Sequence, residues 1–90
     1  IITYMDINEL ITIVKKKLNE EINIESLKIE DKSFLHKNHS GNHVGKFHLK
    51  IIIVSEELNK KSRIESNKKI YKIIDKELKN HIHSVQILIS

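Results

Sequence analysis

Between Phe47 and Ile89 the apolar residues change period twice. Phe47, Leu49, Ile51 and Ile53 alternate with His48, Lys50, Ile52 and Val54, which predicts a strand over 47–54 with one fully apolar face. Ser55-Glu56-Glu57-Leu58 suits a short helical turn. Ser62 and Glu65 then have the spacing of a capping box. Ile64, Tyr71, Ile74 and Leu78, supported by Ile70 and Ile73, follow as a helical stripe ending near Lys79-Asn80. Alternation returns from His81 to Ile89, with His81, His83, Val85, Ile87 and Ile89 expected on one face and Ile82, Ser84, Gln86 and Leu88 on the other. A strand, a helix and a strand in that order imply a crossover, so the last strand is expected to lie parallel to an earlier one.

The first half of the chain completes the architecture. Asp6 and Glu9 mark a helix start, and Ile7, Leu10, Ile11, Val14 and Leu18 carry one apolar stripe to about Glu20. A second strand is expected over 22–31, where the alternation slips by one residue near Ser26, as a bulge or a late start would cause. Residues 32–46 read as a long loop holding both glycines, Gly41 and Gly45, and His36, His39 and His43. The order is helix, strand, loop, strand, short turn, helix, strand. It predicts an α+β sandwich, a three-stranded sheet with helices packed on one face. Ninety residues support one compact core, so 1–90 is expected to be a single domain.

Composition removes several chemistries. The chain has no cysteine, which excludes a disulfide scaffold, a thiol nucleophile and any self-supplied thiolate cluster, and fits a reducing, cytoplasmic setting. No apolar run nears the roughly 18–20 residues needed to span a bilayer, and no secretory signal pattern is visible. No phosphate-cradling glycine loop, nucleophile elbow or carboxylate pair in an apolar setting is present, so no enzymatic activity is expected.

Two groups of residues remain for function. The histidines divide into His36, His39, His43 and His48 around the loop, and His81 and His83 at the start of the last strand. Neutral imidazole is a common metal ligand, although solvated loops also collect histidine. For His83, a packed ring with one satisfied hydrogen bond competes with a fixed imidazole aimed beside the loop. Lys60, Lys61, Arg63, Lys68, Lys69, Lys72 and Lys76 concentrate positive charge on the turn and the helix after it, with the first five the candidate contacts. That surface is either a phosphate-backbone contact or a solvated lysine face. The net charge is +4, but Arg63 is the single arginine, which argues against base-specific readout.

Several segments together resemble the BolA family, over roughly Asp6 to Ser90. Residues 31–41, Asp-Lys-Ser-Phe-Leu-His-Lys-Asn-His-Ser-Gly, are similar to the family loop D-E-S-x-x-H-x-G-H-x-G. His48-Leu49-Lys50-Ile51-Ile52-Ile53-Val54-Ser55 resembles its H-F-x-V-x-I-V-S strand, Ile70-Tyr71 and Glu77-Leu78 its later helix, and His83-Ser84-Val85 the H-A-L of its last strand. Departures occur at Ser66-Asn67-Lys68, where the family often has R-H-R, and at Leu58-Asn59-Lys60, in place of F-x-G. The resemblance implies a class II KH-like fold, α-β-β-α-α-β. It also implies a non-enzymatic adaptor, a monomer alone or a heterodimer with a monothiol glutaredoxin. In that pairing a [2Fe–2S] cluster is shared. The partner's cysteine and glutathione give the thiolates; His83 and either His36 or His39 give the imidazoles. Imidazole ligands must be neutral, so cluster binding is expected to weaken as pH falls toward about 6.5. Some family members resemble transcriptional regulators, which keeps DNA as the alternative partner.

Overall fold

The computed structural model describes residues 6–33 and 47–90. Helix α1 (Ile7–Glu21) is capped by Asp6, whose side chain accepts from the Asn8 amide, and it buries Leu10, Val14 and Leu18. Strand β1 (Ser26–Asp31) starts late, at the phase slip. The residues before it are held elsewhere: the Ile22 amide donates to the Leu18 carbonyl, and the Asn23 amide donates to Glu57 Oε1. Strand β2 (Phe47–Val54) pairs antiparallel with β1, with Ile29 opposite Ile51.

Short helix α2 (Glu56–Asn59) is capped by Ser55, and α3 (Arg63–Ile73) by Ser62, whose hydroxyl accepts from the Glu65 amide and donates to the Glu65 carboxylate. The predicted single helix breaks at Ile74, and α4 (Asp75–Asn80) continues beyond it. Strand β3 (Ile82–Ile89) then runs parallel to β2, giving a sheet ordered β1-β2-β3. The α+β sandwich and the parallel crossover match expectation.

One cluster forms the core: Leu10, Val14 and Leu18 of α1, Leu49, Ile51 and Ile53 of β2, and Ile70 and Ile74 are its centre. Burying each such side chain contributes about 1.5–3 kcal/mol. The opposite sheet face, bearing Lys50, Ile52, Val54, Gln86 and Leu88, has no helix over it among the described residues. The buried face keeps Ile70, Ile73, Ile74 and Leu78 of the predicted stripe but departs from it at two positions. Ile64 is 69% exposed and Tyr71 42%, while Ser66, Ile70 and Glu77 point inward. Polar side chains in the buried row disguised it. Ser66 is satisfied by donating to the Leu58 carbonyl (2.8 Å), which lets α3 lie close to α2. Glu77 accepts from Lys17 Nζ (2.6 Å), and its Oε1 has no hydrogen-bond partner among the described residues.

Candidate functional site

The start of β3 departs from simple alternation, and that departure builds the site. Phe47 is opposite Ile82, yet His48 is opposite Ser84, so His83 is an extra residue in the ladder. A bulge of this kind re-aims the side chains around it. Ile82 is buried in the core, contrary to the predicted face, and Val85, Ile87 and Ile89 also pack against it. His83 leaves that row and is exposed. The signal was present: apolar residues at 82, 85, 87 and 89 change parity once, where a bulge must sit.

His83 does not stand alone. Its ring centroid lies 4.8 Å from that of His48, with the ring planes at 55°. His48 is only 8% exposed, and its Nδ1 is hydrogen-bonded to Ser84 Oγ at 2.6 Å. Its backbone is fixed from the other side. The His48 amide donates to Ser33 Oγ (3.1 Å), and its carbonyl accepts from the Lys32 amide (2.7 Å). The Ser33 amide in turn donates to Asp31 Oδ1 (2.9 Å), a tight turn at the end of β1. Beyond His48, a shallow depression of about 380 Å³ runs along Lys32, Lys50, Ser84 and Gln86. The result is a corner where a buried, anchored imidazole backs an exposed one. His48 and Ser84 are the positions that alternation alone did not single out. A polar pair facing each other at the head of two predicted strands was the available signal.

His36, His39 and His43 lie outside the described residues. The two residues flanking their segment, Ser33 and Phe47, both meet this corner: Ser33 through His48, and Phe47 through its amide, which donates to the His81 carbonyl (2.8 Å). Among the described residues no group of three or more His, Cys, Asp or Glu side chains could hold a metal ion. His83 therefore fits an ion or cluster only as one donor among ligands supplied from elsewhere.

The basic candidates occupy the other end of the sheet. Ser55 and Ser90 pair there, and α2, the Lys60–Ser62 turn and α3 follow. Eight-residue strands separate the two ends by roughly 25 Å. Lys60, Lys61, Arg63 and Lys68 are exposed. Lys69 is not available as an unpaired charge, since it holds Glu57 at 2.7 Å. That contact, together with the Asn23 amide, keeps the Glu57 carboxyl below its ordinary value. No described helix is long and apolar enough to cross a membrane.

A three-stranded mixed sheet with one helical layer defines a class of small α+β domain. The sequence profile of the BolA-like protein family matches residues 18–90, and the chain belongs to that family. It is 30% identical over 80 residues to SufE-like protein 1, chloroplastic/mitochondrial, of Arabidopsis thaliana, a match that covers 83% of this chain but 22% of the plant protein. It is 28% identical over 75 residues to the DNA-binding transcriptional regulator BolA of Haemophilus influenzae, covering 83% of this chain and 70% of that one. The solved BolA domain of SufE1 from Arabidopsis thaliana superposes with a TM-score of 0.75 at 29% identity, covering 88% of this chain and 87% of that one.

Proposed function

We propose that the chain is a non-enzymatic adaptor that pairs with a monothiol glutaredoxin and shares a [2Fe–2S] cluster with it. The observation that carries this reading is the pairing of exposed His83 with buried, Ser84-anchored His48 beside the two residues that flank the histidine-rich segment. His83 and either His36 or His39 would be the chain's ligands, with thiolates from the partner's cysteine and glutathione, since the chain has none of its own. When bound, such a cluster with two imidazoles on one iron has a raised reduction potential. The chain's own contribution is to hold one ring in place. His48, fixed by Ser84 and Ser33, limits where the His83 ring can turn, in the way outer partners orient a ligand. Relation to a domain of a protein named SufE-like supports a role in iron–sulfur handling. The reading covers residues 1–90 as a single domain, a monomer alone or a heterodimer with its partner, in a reducing compartment such as the cytoplasm.

The test mixes the chain with a monothiol glutaredoxin, glutathione and cluster and records visible absorption and circular dichroism. His83→Ala and a His36/His39 double alanine variant should each change the spectrum of the complex. An unchanged spectrum in both overturns the ligand assignment.

The Haemophilus influenzae relative's name supports a second reading, a DNA-binding regulator using Lys60, Lys61, Arg63, Lys68 and Lys69. The engagement of Lys69 by Glu57 weakens that surface. Duplex titration at two salt concentrations separates the readings, because binding by an unspecific lysine face collapses with salt.

A further inference from the structure

The two edges of the sheet are built differently. Along β1, Lys28 and Lys32 both reach Glu30, at 3.2 and 3.3 Å, and an edge bearing charges resists the addition of another strand. β3, at the other edge, has no Asp, Glu, Lys, Arg or Pro in its eight residues. Its backbone is also offered outward. The Ser90 amide donates to the Ile53 carbonyl (2.9 Å) and the Ser90 carbonyl accepts from the Ser55 amide (3.0 Å), so Ser90 turns both groups toward β2. Successive residues of a strand turn opposite ways, so Val85, Ile87 and Ile89 direct their amides and carbonyls away from the sheet. No described residue pairs with that side of β3.

Side chains flank this edge in two different ways. On the helix side, Arg63 and Asn67 of α3 line a groove of about 270 Å³ together with Ile87, Leu88 and Ile89. Arg63 makes no ion pair among the described residues. On the open side, Leu88 is 43% exposed, and Val54, on the same face, is 38% exposed.

We propose that the outer edge of β3 is a docking site for an extended segment of a partner protein whose side chains alternate between acidic and apolar. Strand addition satisfies the outward backbone groups of Val85, Ile87 and Ile89. The alternation of the incoming strand then sends carboxylates toward Arg63 and apolar side chains over Leu88. A second copy of β3 is a poorer occupant, because its uncharged residues offer Arg63 no carboxylate. The site continues along the strand that carries the histidine corner, but it does not depend on any cluster.

The probe is an acetylated, amidated heptapeptide of alternating Glu and Val, titrated into the isotope-labelled chain and followed by NMR. The amides of Val85, Ile87 and Ile89 should shift and exchange more slowly with solvent. A Lys/Val peptide should not bind, and a Glu/Val peptide with N-methylated backbone amides should lose binding. Arg63→Gln, an exposed substitution, should weaken binding about twofold to fivefold. Each of the following outcomes overturns the proposal. The first is no binding at millimolar peptide. The second is equal binding by the N-methylated peptide, which would mean charge alone. The third is protection of the β3 amides on concentrating the chain by itself, or stronger shifts there with oligothymidine than with the peptide.

Discussion

The two ends of the sheet are held in opposite ways. Where β2 and β3 finish, polar groups are consumed within the fold. Ser55 is fully buried; its hydroxyl donates to the Asn23 carbonyl (2.7 Å) and accepts from the Leu58 amide (3.2 Å). Ser66 closes the next gap onto the Leu58 carbonyl, and Glu57 holds both the Asn23 amide and Lys69. Where the same strands begin, the backbone is tied as well, through Phe47 to His81 and through His48 to Lys32 and Ser33. There, however, the side chains are imidazoles, and one of them sits on a residue outside the ladder. The difference teaches that Ser55 spends its polar groups on closing the fold, whereas the ring of His83 is carried on a residue outside the ladder and lies exposed. Substitutions at the two ends should therefore separate stability from function.

The largest effect on stability is expected at the closed end. Ser55→Ala removes a cap and leaves the Asn23 carbonyl without its hydroxyl donor, which costs about 1–3 kcal/mol. Urea unfolding should show a lower midpoint with an unchanged slope. A midpoint equal to that of the unaltered chain would mean that this end is not held as described.

Much of this contrast was legible in the sequence, for definable reasons. Period-two alternation located β2 and β3, and Ser55 and Ser62 marked their helices, because these signals are local. The crossover predicted a last strand parallel to an earlier one, and the register identifies that strand as β2. Three features were not legible as such. The inward faces of α3 and α4 carry Ser66 and Glu77, whose burial depends on partners on other elements, Leu58 and Lys17. The break at Ile74 is a tertiary accommodation rather than a proline or glycine signal. The parity change between Ile82 and Val85 marked the bulge at His83 only faintly, because apolar Leu88 keeps the other parity alive, and the register with β2 was needed to place the extra residue. At the site, His83 was identified by residue type and resemblance, while its neighbour His48 emerged only when two strands were brought side by side.

A smaller effect on stability should distinguish the two imidazoles. His48 is buried and bonded to Ser84, so His48→Ala should destabilise by about 1–2 kcal/mol. His83 is exposed outside the ladder, so His83→Ala should change stability by no more than about 0.5 kcal/mol. The order should invert for function, with His83→Ala the more damaging to cluster sharing. Parallel urea titrations of the two variants check the first half, and the spectrum of the glutaredoxin complex checks the second. Equal destabilisation would show that His83 is a packed residue and would remove the contrast between them.

The smallest effect is a response of the closed end to acid. Lys69 first, and then the Asn23 amide, favour the ionised form of Glu57, so its folded value lies below the ordinary glutamate value of 4.5. In the unfolded chain those partners are absent and the carboxyl returns to the ordinary value. The unfolded state then binds more protons below that pH, and stability must fall as pH falls. The contribution of Glu57 is fully present above about 4.5 and is lost as pH drops through the folded value. Glu30, between Lys28 and Lys32 on β1, follows the same sign. Both side chains lie near solvent, so salt should flatten the slope. Urea midpoints measured from pH 6 to pH 3 for the unaltered chain and for Glu57→Gln test this. The variant should show a shallower decline, because the neutral amide has no proton to gain. Identical slopes would show that the Lys69 contact does not distinguish folded from unfolded Glu57, and the acid response would then belong to the β1 edge instead of the closed end.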